Sequence, residues 1–153
     1  MKINFPRVFN KMIVIDLAIH FTVAAVFSLV IFQLSRSWYY LIIFLLGAVF
    51  VDLDHLIDYY ICYKSGFNLK NFLNCNFVNS GKVYVLLHSW EINLICFVLG
   101  LWYHSGTLLV LALGLCLHLA ADNLQRRDPL FYLLIYRIYR RFKIKDAYYY
   151  FVS

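Results

Sequence analysis

"GAVFVDLDHLIDYY", residues 47–60, decides how this chain is read, because an oily run that would continue a membrane helix delivers Asp52, Asp54, His55 and Asp58 in quick succession. A charge near the middle of a bilayer costs about 2.5–3.5 kcal/mol on insertion scales. Such a cluster therefore needs a compensating partner. The rest of the chain makes the question sharper: of 153 residues, 63% are hydrophobic and 20% aromatic, and only 14% are charged. Those are the proportions of a membrane protein.

Stretches without Lys or Arg predict four spans, at 12–34, 38–61, 83–104 and 107–125. At about 1.5 Å per residue, each crosses a hydrocarbon layer of about 30 Å as a helix. An open sheet would leave unpaired edges in lipid. The first span is too long in its apolar core for a signal peptide, carries Asp16 and His20, and has no small-x-small pattern after it, so it is read as part of the mature protein. The expected fold class is all-α, a four-helix transmembrane bundle over residues 1–125 followed by a basic aromatic tail, 126–153, forming a C-terminal amphipathic helix at the membrane interface.

Of the 14 Lys and Arg residues, all but Arg36 fall before span one, between spans two and three, or after span four. That asymmetry puts both termini and the polar 62–82 loop, a possible cap over that face, on the cytoplasmic side. The net charge of +6 follows the membrane boundary, which speaks for membrane lipids as partners and against nucleic acid. Cys62, Cys75, Cys96 and Cys116 show no CxxC spacing and read as small hydrophobes. Nothing in the sequence fixes an oligomeric state.

Of the eight acidic residues, Asp16, Asp52, Asp54, Asp58, Glu91 and Asp122 fall inside the expected spans, together with His20, His55, His88 and His118. No Lys or Arg lies in any of those spans, so protons, water or a bound cation must balance the carboxylates. Each span pairs a His with a carboxylate three or four positions away: Asp16 with His20, Asp52 with His55, His88 with Glu91, and His118 with Asp122. That spacing places each pair on one helical face. Consecutive spans run in opposite directions, and all four pairs then lie about 5–14 Å inside the cytoplasmic end. A shared layer of imidazole and carboxylate suits a divalent metal, Zn first and Fe or Mn next, as one or two ions. On a helical wheel Asp54 and Asp58 lie on the arc beside Asp52 and His55, which makes Asp54 a supporting group and Asp58 a hydrated residue at the helix end. His104, at the outer end of span three, is not read as a ligand.

In order and spacing, His20, the D-x-D-H of Asp52, Asp54 and His55, the His-Ser of His88 and Ser89, and the H-x-x-x-D of His118 and Asp122 resemble the bacterial membrane-bound metal-dependent hydrolases. These include the LexA-regulated inner-membrane hydrolases and look distantly related to zinc-dependent phospholipase C and P1-type nucleases. The resemblance covers most of residues 16–125. It departs at Val51, where the family commonly has Pro, and at "VYVLL", residues 83–87, where it often has His-Arg-Gly. It implies an inner-membrane enzyme with His20, Asp52, His55, His88, His118 and Asp122 as metal ligands, and Asp122 bridging if two ions bind. Glu91 or Asp54 would be the general base, and the bond broken an ester or phosphoester of a lipid or other amphiphile. The alternatives are a noncatalytic metal-binding membrane protein and a metal or proton transporter.

Overall fold

The structure, a computed structural model, describes residues 8–64, 66–73, 82–125 and 128–143. It is all-helical: α1 (Val8–Ser35), α2 (Trp38–Ala48), a 3-10 turn (Phe50–Asp54), α3 (His55–Tyr63), α4 (Leu69–Leu73), α5 (Trp90–Trp102), α6 (Gly106–Gln125) and α7 (Leu134–Tyr139). Among the described residues there is no strand, only an isolated antiparallel bridge between Lys82 and Lys143. Residues 65 and 74–81 of the 62–82 loop, Cys75 among them, and the last part of the tail lie outside the described residues.

Within α1 and α6, Leu17–Ser35 and Gly106–Leu124 are long and apolar enough to cross a membrane. The expected second span is bent: α2 and the helical stretch Phe50–Tyr63 meet at 48°. Val49, at φ −129° and ψ −47°, leaves helical geometry at the joint. The bend turns the DLDH residues out of the line of α2.

The expected third span departs further. Residues 83–89 are not helical, and α5 starts only at Trp90 and runs for 13 residues. At about 1.5 Å per residue that gives roughly 20 Å of helix, short of a full crossing. An extended segment has no internal hydrogen-bond ladder, so its amides must find other acceptors. They do: Tyr84 N–H donates to Asp58 Oδ1 at 2.6 Å and Leu87 N–H to Asp54 Oδ2 at 2.8 Å. Val83 N–H donates to Phe142 O at 3.1 Å, and Trp90 N–H to Tyr132 O at 3.0 Å.

Two apolar clusters hold the helices. One joins Ala24 and Ile31 of α1 to Phe44 and Ala48 of α2, with Val110 and Leu117 of α6 against it. The other, at the end carrying the DLDH turn, joins Tyr59, Val83, Val85, Leu119, Phe131 and Tyr132. Outward, the helices expose large apolar side chains such as Leu29, Leu34, Leu94 and Trp102, as a lipid-facing surface does.

α2 and α6 cross at glycines. A methyl group on Gly47 would lie 2.6 Å from Leu111 O, and one on Gly114 would lie 2.5 Å from Phe44 O. Small residues let helix backbones approach this closely in a membrane. Gly114→Val is therefore expected to force the helices apart at a cost of about 1–3 kcal/mol. Helical circular dichroism followed through thermal unfolding in detergent reads this as a lower midpoint, and a wild-type midpoint contradicts the close crossing.

The tail also differs from expectation. Within the described residues its helix is only Leu134–Tyr139, and it turns inward, burying Phe131, Tyr132 and Arg137. A surface helix would have kept Arg137 in the headgroups.

Candidate metal centre

His20 comes from α1, Asp52 from the 3-10 turn, His55 from the first turn of α3, His88 from the extended segment, and His118 and Asp122 from α6. The fold brings all six together. His88 Nε2 and His118 Nε2 are 3.1 Å apart, and Asp52 Oδ1 lies 3.1 Å from the first and 3.4 Å from the second. Asp122 Oδ2 stands beside that triangle, 3.7 Å from His118 Nε2 and 4.0 Å from His88 Nε2. The other oxygen of Asp122 is 3.1 Å from His20 Nε2. On the opposite flank, His55 Nε2 is 4.0 Å from Asp52 Oδ1.

On its far side each central imidazole faces an oxygen that favours a proton on Nδ1. Helix α2 ends at Ala48, so its last carbonyls lack helical partners, and His118 Nδ1–H donates to Ala48 O at 3.0 Å. His88 Nδ1 lies 2.8 Å from Asp54 Oδ1, off the ideal hydrogen-bond line. With a proton on each Nδ1, the two Nε2 atoms face each other with lone pairs. At 3.1 Å that arrangement is repulsive unless a cation or an extra proton stands between them. Ligand atoms about 2.0–2.1 Å from a tetrahedral ion are roughly 3.3 Å apart, the spacing of this triangle. Two sets, His20–His118–Asp122 and Asp52–His55–His88, each have ligand atoms within 4.8 Å of one another and can hold a metal ion. The same groups also satisfy one another as ion pairs.

Burial is one-sided. His20, His88, His118 and Asp122 are buried, whereas the side chain of Asp52 is 43% exposed and that of His55 23%. The centre opens at Asp52 and His55.

Several expected roles change. Glu91 does not share a helical face with His88, which precedes α5; its two oxygens accept the Leu134 and Ile135 amides at 2.8 and 3.1 Å and so cap α7. That commitment leaves it poorly suited as a general base. Asp54, the other expected base, is occupied by the Leu87 amide and by His88. Asp58 is buried rather than hydrated, and it holds the Tyr84 amide. His20 meets Asp122 across two helices, while the Asp16 side chain expected to serve it lies outside the described ones. His104 is exposed in the turn before α6.

Arg137, expected only as one of the basic residues of the surface tail, was missed as a residue of the site. It is 2% exposed and donates through one terminal nitrogen to Val85 O and through the other to His88 O at 2.8 Å. Burial pulls its guanidinium below the ordinary arginine value, while Tyr132, Asp54, Glu91 and Asp58 favour its charge. The sequence did carry a signal: Arg137 is a lone cation in the apolar run "LFYLLIYRIY", ahead of the paired Arg140 and Arg141.

The fold and the cluster define a class: an all-helical protein with helices able to cross a membrane and buried His/Asp groups able to hold a metal ion. No family model, curated protein or solved structure matches the chain.

Proposed function

We propose that the protein is an integral membrane metal-dependent hydrolase that cleaves an ester or phosphoester of a lipid or other amphiphile at the cytoplasmic leaflet. In this reading α1, the bent α2–α3 unit, the 83–102 segment and α6 make four passages, with the termini on the cytoplasmic side as the Lys and Arg distribution demands. The observation that carries the proposal is the one-sided centre. Three ligand atoms, from His88, His118 and Asp52, form a tight triangle closed by buried groups behind and open at the Asp52 side. Structural metal sites are normally closed by four protein ligands, whereas catalytic ones use three and keep a position free.

His88, His118 and Asp52 would hold one ion, with Zn best suited to two imidazoles and a carboxylate. Such an ion lowers the pKa of a water to about 7 and polarises the oxygen of a phosphoryl or acyl group. Asp122 stands next to the triangle and is backed by His20, so it can accept the proton of an attacking water and share it with that imidazole. Asp54 keeps His88 in the tautomer that leaves Nε2 bare, the task of an outer carboxylate. His55, at the mouth, is placed to meet the substrate's polar group.

Asp122→Asn preserves the shape of the side chain and removes its basicity. It is expected to keep bound metal and lower turnover of phospholipid or polyprenyl phosphate in detergent by about 10²–10⁴-fold, the range of general acid–base catalysis. Unchanged turnover removes Asp122 from the mechanism. Metal flux into proteoliposomes without hydrolysis replaces the hydrolase reading by transport.

A further inference from the structure

The tail meets the segment that carries His88 at every level. Phe142 O accepts the Val83 amide, Tyr132 O accepts the Trp90 amide, and Glu91 caps the first turn of α7 through Leu134 and Ile135. Between these ties Arg137 spans the carbonyls of Val85 and His88. The Tyr132 ring lies 6.1 Å from the His88 ring and within 29° of parallel to it.

We propose that Arg137 is the positioning residue of the His88 ligand, fixing the backbone from which that imidazole reaches the metal centre. The proposal rests on the metal reading above.

The reasoning starts from the backbone. Residues 83–89 are neither helix nor ladder, and the local bonds are confined to Ser89, whose amide donates to Leu87 O at 2.8 Å and whose hydroxyl donates to Leu86 O at 2.9 Å. Asp54 secures one side of His88, through the Leu87 amide and Nδ1. The carbonyl side would be loose without Arg137. A guanidinium is a flat, rigid fork whose donors keep a fixed separation. By gripping carbonyls three residues apart, it sets the local curve of the chain and with it the height of the His88 ring. Its charge also sits among Asp54, Asp58 and Glu91, offsetting carboxylates that the metal does not reach. Arg141, in the same tail, is exposed and has no such place.

The test measures Zn²⁺ and Co²⁺ affinity, and the visible spectrum of the Co²⁺ form, on the full chain in detergent. Arg137→Met is expected to bind about 10–100-fold more weakly, as for loss of an outer-shell partner, with displaced Co²⁺ bands. Arg137→Lys keeps the charge but has no fork, and should recover part of the affinity. Arg141→Met should match wild type. If Arg137→Met melts earlier yet binds Co²⁺ with wild-type affinity and spectrum, Arg137 is only a structural residue and the proposal falls. Should Arg137→Met fail to fold, Arg137→Lys decides: weaker binding with shifted bands supports positioning, and wild-type values overturn it. Wild-type protein that binds neither ion overturns the metal reading itself, a result distinct from intact binding that ignores Arg137.

Discussion

His88→Ala and His118→Ala, made singly, are expected to remove most of the zinc-dependent stabilisation of the fold. In wild-type protein, zinc at a thousandfold excess over its dissociation constant adds about 4 kcal/mol of stability by mass action. Most of that gain should be lost in either variant, because the central triangle keeps only two of its three ligands and one of the two three-residue sets is broken. The loss of affinity should exceed the roughly 10–100-fold that follows removal of an outer partner.

Chelator gives the sharper comparison. Without an ion, the facing Nε2 atoms of His88 and His118 repel or must trap a proton, so wild-type protein carries a burden that either alanine relieves. The stability gap between wild type and variant should therefore be wide in zinc and narrow in chelator. His118→Ala should keep some gap in both, since it also frees Ala48 O at the end of α2. His104→Ala, in an exposed turn, is the matched control. A wild-type thermal midpoint indifferent to zinc and to chelator rejects the metal centre.

What the sequence revealed, and what it hid, follows from the forces each pattern reports. Hydropathy reports transfer from water, so the all-helical character and the apolar stretches in α1 and α6 were legible. It does not report backbone hydrogen bonding, and "VYVLLHS" passed as the start of a helix. The β-branched alternation of Val83 and Val85, both buried, around Tyr84, partly exposed, is instead an extended pattern. A shared height for His20, Asp52, His88, His118 and Asp122 was expected from regular helical rise; those side chains do converge, but through a bent second span and a non-helical segment at His88. Their partners were visible only in part. Of the expected in-line pairs, His118 with Asp122 and Asp52 with His55 lie 3.7 and 4.0 Å apart, but the shorter contacts run across elements, from His20 to Asp122 and from His88 to Asp54 rather than Glu91. Arg137 escaped because cations were sought only inside the spans, and the inward turn of the tail depends on Glu91 and Tyr132, which no local pattern encodes.

The carboxylates of the DLDH segment divide into two tasks, and substitution should separate them. Asp54 and Asp58 are one helical turn apart and both buried, and between them they accept the amides of Tyr84 and Leu87. Removing either leaves a part-buried amide without its acceptor, and a hydrogen bond to a charged group contributes about 1.5–3 kcal/mol. Asp58→Ala is therefore expected to cost about 1.5–3 kcal/mol of stability in detergent unfolding and to expose the Tyr84 amide to hydrogen exchange. Asp58 does not touch His88 or His118 and reaches the centre only through His55 Nδ1, 3.9 Å away, so the fraction still folded should lose less metal affinity than Asp54→Asn does. Asp54→Asn should show the reverse: its amide oxygen can still accept from Leu87, so exchange protection largely persists. A neutral side chain beside His88 Nδ1, however, weakens the hold on the tautomer, and metal affinity should fall about 10–100-fold. If Asp58→Ala lowers affinity as far as Asp54→Asn while both keep the Tyr84 and Leu87 amides protected, the division is wrong, and these carboxylates belong to the ion rather than to the backbone of the extended segment.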